Sequence, residues 1–121
     1  MTNHTLAESF RCAAQGIITA LKTERNMRIH FVAAVLVALL GFFVHLTKQE
    51  WLIIIAAITF VLVAELTNTA IEAAVDLVVH DYHPSAKIAK DVAAGAVLMS
   101  AVMAVIIGVI VFYPYLKEMV R

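Results

Sequence analysis

The sequence predicts an all-α membrane protein: one N-terminal amphipathic surface helix followed by three transmembrane helices. Of 121 residues, 63% are hydrophobic and only 15% charged, where a soluble domain carries about a quarter charged residues. Mean hydropathy is +0.92. Residues 29 to 47 and 92 to 116 contain no Asp, Glu, Lys or Arg, and about 20 such residues cross the roughly 30 Å of a bilayer's hydrocarbon. Nine basic residues balance nine acidic ones, so nothing in the charge points to nucleic acid. Cys12 is the single cysteine, which excludes an internal disulfide and a cysteine-rich metal site.

The surface helix is expected over about residues 5 to 23. Leu6, Phe10, Ala13, Ala14, Ile17, Ile18 and Leu21 recur at helical spacing, with Arg11 and Lys22 off that stripe. Such a helix lies on a membrane surface or packs on a neighbouring subunit. The same residues lack a basic region leading into an apolar core, so they do not read as a secretory signal.

The transmembrane helices are expected over about residues 29 to 47, 51 to 79 and 84 to 113 of a single domain covering residues 1 to 121. The middle one is unusual. WLIIIAAITFVLVA, from Trp51, is apolar, but AELTNTAIEAAVDLVV then adds Glu65, Asn68, Glu72 and Asp76 without any Gly or Pro to end the helix. A helix from Trp51 to Val79 is about 44 Å long, longer than the hydrocarbon core, so one end projects into water. Arg11, Lys22, Arg25 and Arg28 precede the first span and Lys87 and Lys90 follow the second, with Lys48 alone between them. The lysine and arginine bias puts the N-terminus and the turn near residues 80 to 90 on the cytoplasmic side. Lys117 and Arg121 fall outside, against that bias.

At 100° per residue, Glu65, Asn68, Glu72 and Asp76 share an arc of about 80°, with Thr69 beside them. Counting rise from Trp51 as the outer interface places Glu65 about 9 Å inside the hydrocarbon, Glu72 at the inner boundary and Asp76 in water. A carboxylate in hydrocarbon must be protonated, paired or set against a wet cavity, so an intramembrane Glu is a functional hypothesis by default. The bland reading is a protonated hydrogen-bonder between helices.

HDYHPSAKIAKD brings a second cluster to the same end, with Pro84 suited to the first position of a helix. An antiparallel hairpin sets Glu72 level with Lys90 and Asp91. Lysines near a helix N-terminus opposite carboxylates could hold a metal on phosphates, pair with a carboxylate, or meet anionic headgroups, and spacing does not choose among these. Glu24 and Arg28 are spaced as an i, i+4 pair, commonly only local helix support. His30, His80 and His83 lack metal-ligand spacing. There is no phosphate loop of the G-x-x-x-x-G-K-[ST] type, no protein-kinase signature and no G-x-S-x-G elbow.

ERNMRIH at 24 to 30, EWLI at 50 to 53, AELTNTAIEAAVDLV at 64 to 78 and YHPSAKIAKDVAAGAVL at 82 to 98 together resemble the small prokaryotic integral-membrane lipid kinases. This family comprises diacylglycerol kinase and undecaprenol kinase, and NMRIH and IAKDVAAGAVL resemble the undecaprenol kinase branch. The resemblance implies a homotrimeric bundle in the bacterial cell membrane, with composite sites shared between chains and opening on the cytoplasmic side. It also implies transfer of a phosphoryl group from ATP, with Mg2+, to a lipid alcohol. By motif it gives Glu65 as catalytic base and Glu24 and Glu72 as magnesium ligands. Nucleotide contacts fall to Glu24, Glu72, Asp81, Tyr82, His83, Lys90 and Asp91, and lipid contacts to Glu65, Asn68 and Arg28. Before residue 16 the pattern SFRCAAQGI departs from the family's, so Arg11 and Cys12 receive no role.

Undecaprenol is the expected acceptor, with diacylglycerol the alternative, because both present one hydroxyl near the interface. A small proton-coupled exporter would also use an intramembrane Glu. Such exporters carry four spans and one isolated carboxylate, not three spans and a stripe. A purely structural membrane subunit would tolerate loss of Asn68 and Glu72.

Overall fold

A computed structural model describes residues 5 to 121, which form four helices in chain order: α1 (Leu6–Thr23), α2 (Arg25–Val44), α3 (Lys48–Val78) and α4 (Pro84–Val120). The last three are each long and apolar enough to cross a membrane. The protein is therefore an all-α membrane protein with a preceding N-terminal helix, as its composition requires.

The helix ends follow from local chemistry. Thr5 and Glu8 form a reciprocal capping box that starts α1, and Thr47 and Glu50 form the same box for α3, satisfying backbone N–H groups that have no partner inside the helix. That box begins α3 at Lys48, ahead of Trp51. Glu24, extended at φ −105° and ψ 116°, is at once the C-cap of α1 and the N-cap of α2. His83 caps α4, accepting from the Ser85 N–H through Nδ1 at 3.1 Å, and Pro84 opens the helix. α4 continues through Pro114 to Val120, beyond residue 113; Pro114 only removes one backbone donor there.

α2 closes at His45, in the left-handed region at φ 59°, with Leu46 N–H bonded to the Gly41 carbonyl at 3.1 Å. This six-to-one bond terminates the helix and folds Leu46 back onto it. Leu46, Ile54, Val111 and Phe112 form a buried cluster, flanked by Trp51 and Tyr115. Tyr115 donates a hydrogen bond to Glu50 at the same end. The densest packing thus lies near the α2–α3 turn, far along both helices from Glu24 and Asp76.

Elsewhere the molecule is apolar on its outside. Leu36, Phe42, Phe43, Leu52, Phe60, Leu98 and Ile110 are all more than half exposed, a surface that lipid covers at no cost and water would not tolerate. On α1 only Ala20 is buried, and Leu6 and Phe10 point outward. α3 packs most extensively on α4, less on α2, and α1 touches α2 and α3.

A Cβ on Gly41 would stand 2.8 Å from Trp51 Cη2 and 2.9 Å from Leu46 Cδ1. The indole is rigid, so the hairpin must yield. Gly41→Val is expected to cost about 1–3 kcal/mol, read as a lower thermal midpoint in detergent micelles. An unchanged midpoint would mean that Trp51 does not pack on this turn.

Candidate functional site

The stripe on α3 emerges from protein burial in sequence order. Glu65 is 1% exposed and Asn68 8%, Glu72 is partly buried, and the side chain of Asp76 is 63% exposed. Helical periodicity alone puts them in line; the neighbouring helices cover one end of the line. Asn68 Nδ2 donates to Glu72 Oε1 at 3.5 Å, and the Thr69 hydroxyl donates to the Glu65 carbonyl at 3.0 Å.

Across from Glu65 stands His30 of α2, its Nε2 3.7 Å from Glu65 Oε2. The contact fixes the relative height of the two helices. Six residues back along α2, Glu24 lies about 9 Å toward the end of the bundle where α3 finishes; seven residues on along α3, Glu72 lies about 10 Å the same way. Glu24 and Glu72 therefore share one level below Glu65. Both repel Glu65 as like charges.

Among the described buried side chains, Glu65 Oε2 and Asn68 Oδ1 have no hydrogen-bond partner. Buried polar atoms nearly always find one, and leaving an acceptor bare costs about 1–3 kcal/mol. Two such atoms one turn apart mark a place built for something other than stability. His30, which faces Glu65, lines a cavity of about 500 Å³ between α2, α3 and α4 together with Ala34, Ala57, Val61, Ala101 and Gly108 among others. Small residues on three helices open that space, and nearly all of its wall is apolar.

In the basic cluster Lys90 Nζ pairs with Asp76 Oδ1 at 2.6 Å, one turn beyond Glu72 on α3, and Lys87 Nζ pairs with Asp91 Oδ2 at 2.5 Å on its own helix. Val79 and His83, at the two ends of the connection, are extended. Glu72 still acts electrostatically on Lys90. Asp81, Tyr82 and His83 form an exposed link beside this pair.

Arg28 behaves differently from its spacing. Glu24 is the extended N-cap of α2 and its carbonyl accepts from the Arg28 N–H at 3.3 Å, while the Arg28 side chain donates from Nη1 to the carbonyls of Leu21 at 3.2 Å and Lys22 at 2.8 Å. A cation on the bare carbonyls of α1 offsets that helix's negative end. Arg28 thus ties α1 to α2 at the level of Glu24.

His30 had no role in the sequence reading. Its signal was present: it is six residues from Glu24, nearly the separation between Glu65 and Glu72, so two antiparallel helices that align the acids align these two as well. Among the described residues no group of three or more His, Cys, Asp or Glu forms a metal cage. The oxygen donors Glu24 and Glu72 instead fit magnesium, which commonly takes one or two carboxylates and completes its shell with phosphates and water.

Comparison with known proteins bears on this arrangement. A family model described as prokaryotic diacylglycerol kinase matches residues 11–112. Over 109 residues the chain is 48% identical to the undecaprenol kinase of Bacillus subtilis, covering 90% of this chain and 89% of that protein. It is 43% identical over 115 residues to a diacylglycerol kinase of Synechocystis sp., covering 94% of this chain and 66% of that longer one. The diacylglycerol kinase of Escherichia coli is 29% identical over 101 residues, covering 84% and 83%.

A bare buried acid is a cost to the fold. Glu65→Gln keeps its volume and removes the ionisable group, so its thermal midpoint in micelles should equal or exceed that of the wild type. A clearly lower midpoint would show that Glu65 serves packing or hydrogen bonding between helices.

Proposed function

The chain belongs to the prokaryotic diacylglycerol kinase family and is a membrane lipid kinase; from that premise we propose that it transfers the γ-phosphoryl group of ATP to the terminal hydroxyl of undecaprenol. The observation that carries the reading is Glu65: a buried carboxylate with one bare oxygen, facing His30, which lines an apolar cavity, about 10 Å from the level of the carboxylates suited to a metal and phosphates. Family membership replaces the exporter reading, and the similarity to an undecaprenol kinase supports undecaprenol over diacylglycerol.

Phosphoryl transfer asks mainly for positioning and charge neutralisation, so no soluble nucleotide-binding domain is needed. The lipid chain lies against the apolar helices and raises its hydroxyl to Glu65. Glu65 takes the hydroxyl proton through Oε2 as the oxygen attacks phosphorus. Asn68 Oδ1 accepts from the acceptor hydroxyl or its neighbour and keeps it oriented. Glu24 and Glu72 would hold Mg2+, which when bound offsets the charge on the phosphates.

Lys90, Asp91 and the turn from Asp81 to His83 contact the nucleotide from the α4 side. Lys90 is free to do so at little cost, because water screens a pair as exposed as Lys90 with Asp76. Arg28, engaged on α1, reaches the lipid site only by leaving those carbonyls. The site faces the cytoplasm, where ATP is found and where the lysine and arginine bias places this end. The assembly is a homotrimer, with neighbouring chains completing each site and α1 lying along the membrane surface.

With MgATP and each lipid in mixed micelles, undecaprenol should be phosphorylated with a higher kcat/KM than diacylglycerol. Preference for diacylglycerol would reverse the substrate assignment and leave the kinase reading intact. For Glu72→Gln, the magnesium concentration giving half-maximal rate should rise about tenfold or more. An unchanged magnesium titration would remove Glu72 from the metal site.

A further inference from the structure

Glu65 can act once as a base; to act again it must lose the proton it gained. Its side chain is closed to solvent, and the cavity that His30 lines is nearly all apolar and offers no route for a charge. One side chain in contact can accept a proton: His30, whose Nε2 faces the unpartnered Glu65 Oε2 at 3.7 Å. The His30 side chain is 23% exposed against 2% for Glu65, so the pair runs from a closed position to an open one. The other charged groups acting on Glu65 are Glu24 at the α1–α2 joint and Glu72 on its own helix, while α4 presents Ala101 and Ala104 to the cavity. Neither acid is placed to take a proton from Oε2 directly.

We propose that His30 is the relay residue for Glu65, taking from Oε2 the proton that the lipid hydroxyl gives up and carrying it away. The inference rests on Glu65 being the base. In the first step the lipid O–H bond breaks, the lipid oxygen bonds to the γ-phosphorus, the bond from phosphorus to the ADP oxygen breaks, and the proton goes to Glu65 Oε2. In the second, that proton passes to the neutral His30 Nε2, over a small side-chain adjustment or one intervening water. His30, now an imidazolium, returns a proton to solvent from its exposed edge. One proton is released per lipid phosphorylated, and both residues end as they began.

The test compares purified wild type, Glu65→Gln, His30→Gln and His30→Ala in mixed micelles with MgATP and undecaprenol. The expected result is that Glu65→Gln is inactive and His30→Gln loses about tenfold or more in kcat, less than the loss of direct proton transfer. KM for ATP and lipid should stay near the wild-type values. The acidic limb of the kcat profile against pH should shift in His30→Gln, where only protonation of Glu65 is left to impose it, and added imidazole should restore rate to His30→Ala but not to Glu65→Gln. If Glu65→Gln is inactive while His30→Gln keeps the wild-type kcat and pH profile, the relay is wrong and the base assignment stands. A His30→Gln defect with an unchanged pH profile and no rescue by imidazole would reduce His30 to packing and overturn the proposal. Full activity of Glu65→Gln would overturn the base and the relay together.

Discussion

The structure turns on one carboxyl group held where neither water nor a hydrogen-bond donor reaches its second oxygen. A carboxylate moved from water into an apolar setting loses several kcal/mol of solvation that nothing else in the pocket returns in full. The chain tolerates this because Glu65 sits on a helix whose other faces need no water. Lipid-facing Leu, Ile and Phe make α3 stable in hydrocarbon whatever its polar stripe does. The stripe can then be spent on chemistry, and His30 limits the cost by facing Glu65 without quenching it.

Everything else sets heights. The clasp of Leu46, Ile54, Val111 and Phe112, with Gly41 leaving room for Trp51, fixes where α2 ends relative to where α3 starts. From that fixed end the helices run down in step, so that His30 meets Glu65 and Glu24 reaches the level of Glu72. Arg28 holds α1 against the same level by its bonds to the Leu21 and Lys22 carbonyls. Lys90 and Asp76 close the opposite side through a pair exposed enough to exchange partners. A strong joint far from the chemistry and weak ones near it are what a site needs when it must admit both a nucleotide and a lipid.

Much of this was legible in the sequence, because hydropathy and helical period are local properties. The three apolar helices, the acid stripe and Pro84 at the start of α4 could all be read from spacing. What could not be read depended on offsets between helices. Lys90 was expected level with Glu72, and which carboxylate on that stripe its long side chain would take was not legible; it pairs with Asp76. Glu24 and Arg28 looked like a helical pair, but Glu24 is a joint between two helices, and the arginine turned to α1. His30 was set aside with His80 and His83 for lacking metal-ligand spacing; the contact with Glu65 distinguishes it.

The central claim is that Glu65 removes the proton from the lipid hydroxyl during transfer. The most direct measurement is the single-turnover rate of γ-phosphoryl transfer from pre-bound MgATP to undecaprenol by Glu65→Gln, with ATP affinity determined separately on the same preparation. The account predicts a rate lower by about 10²–10⁴ with ATP affinity unchanged. Transfer at the wild-type rate, with ATP bound as in the wild type, would contradict it.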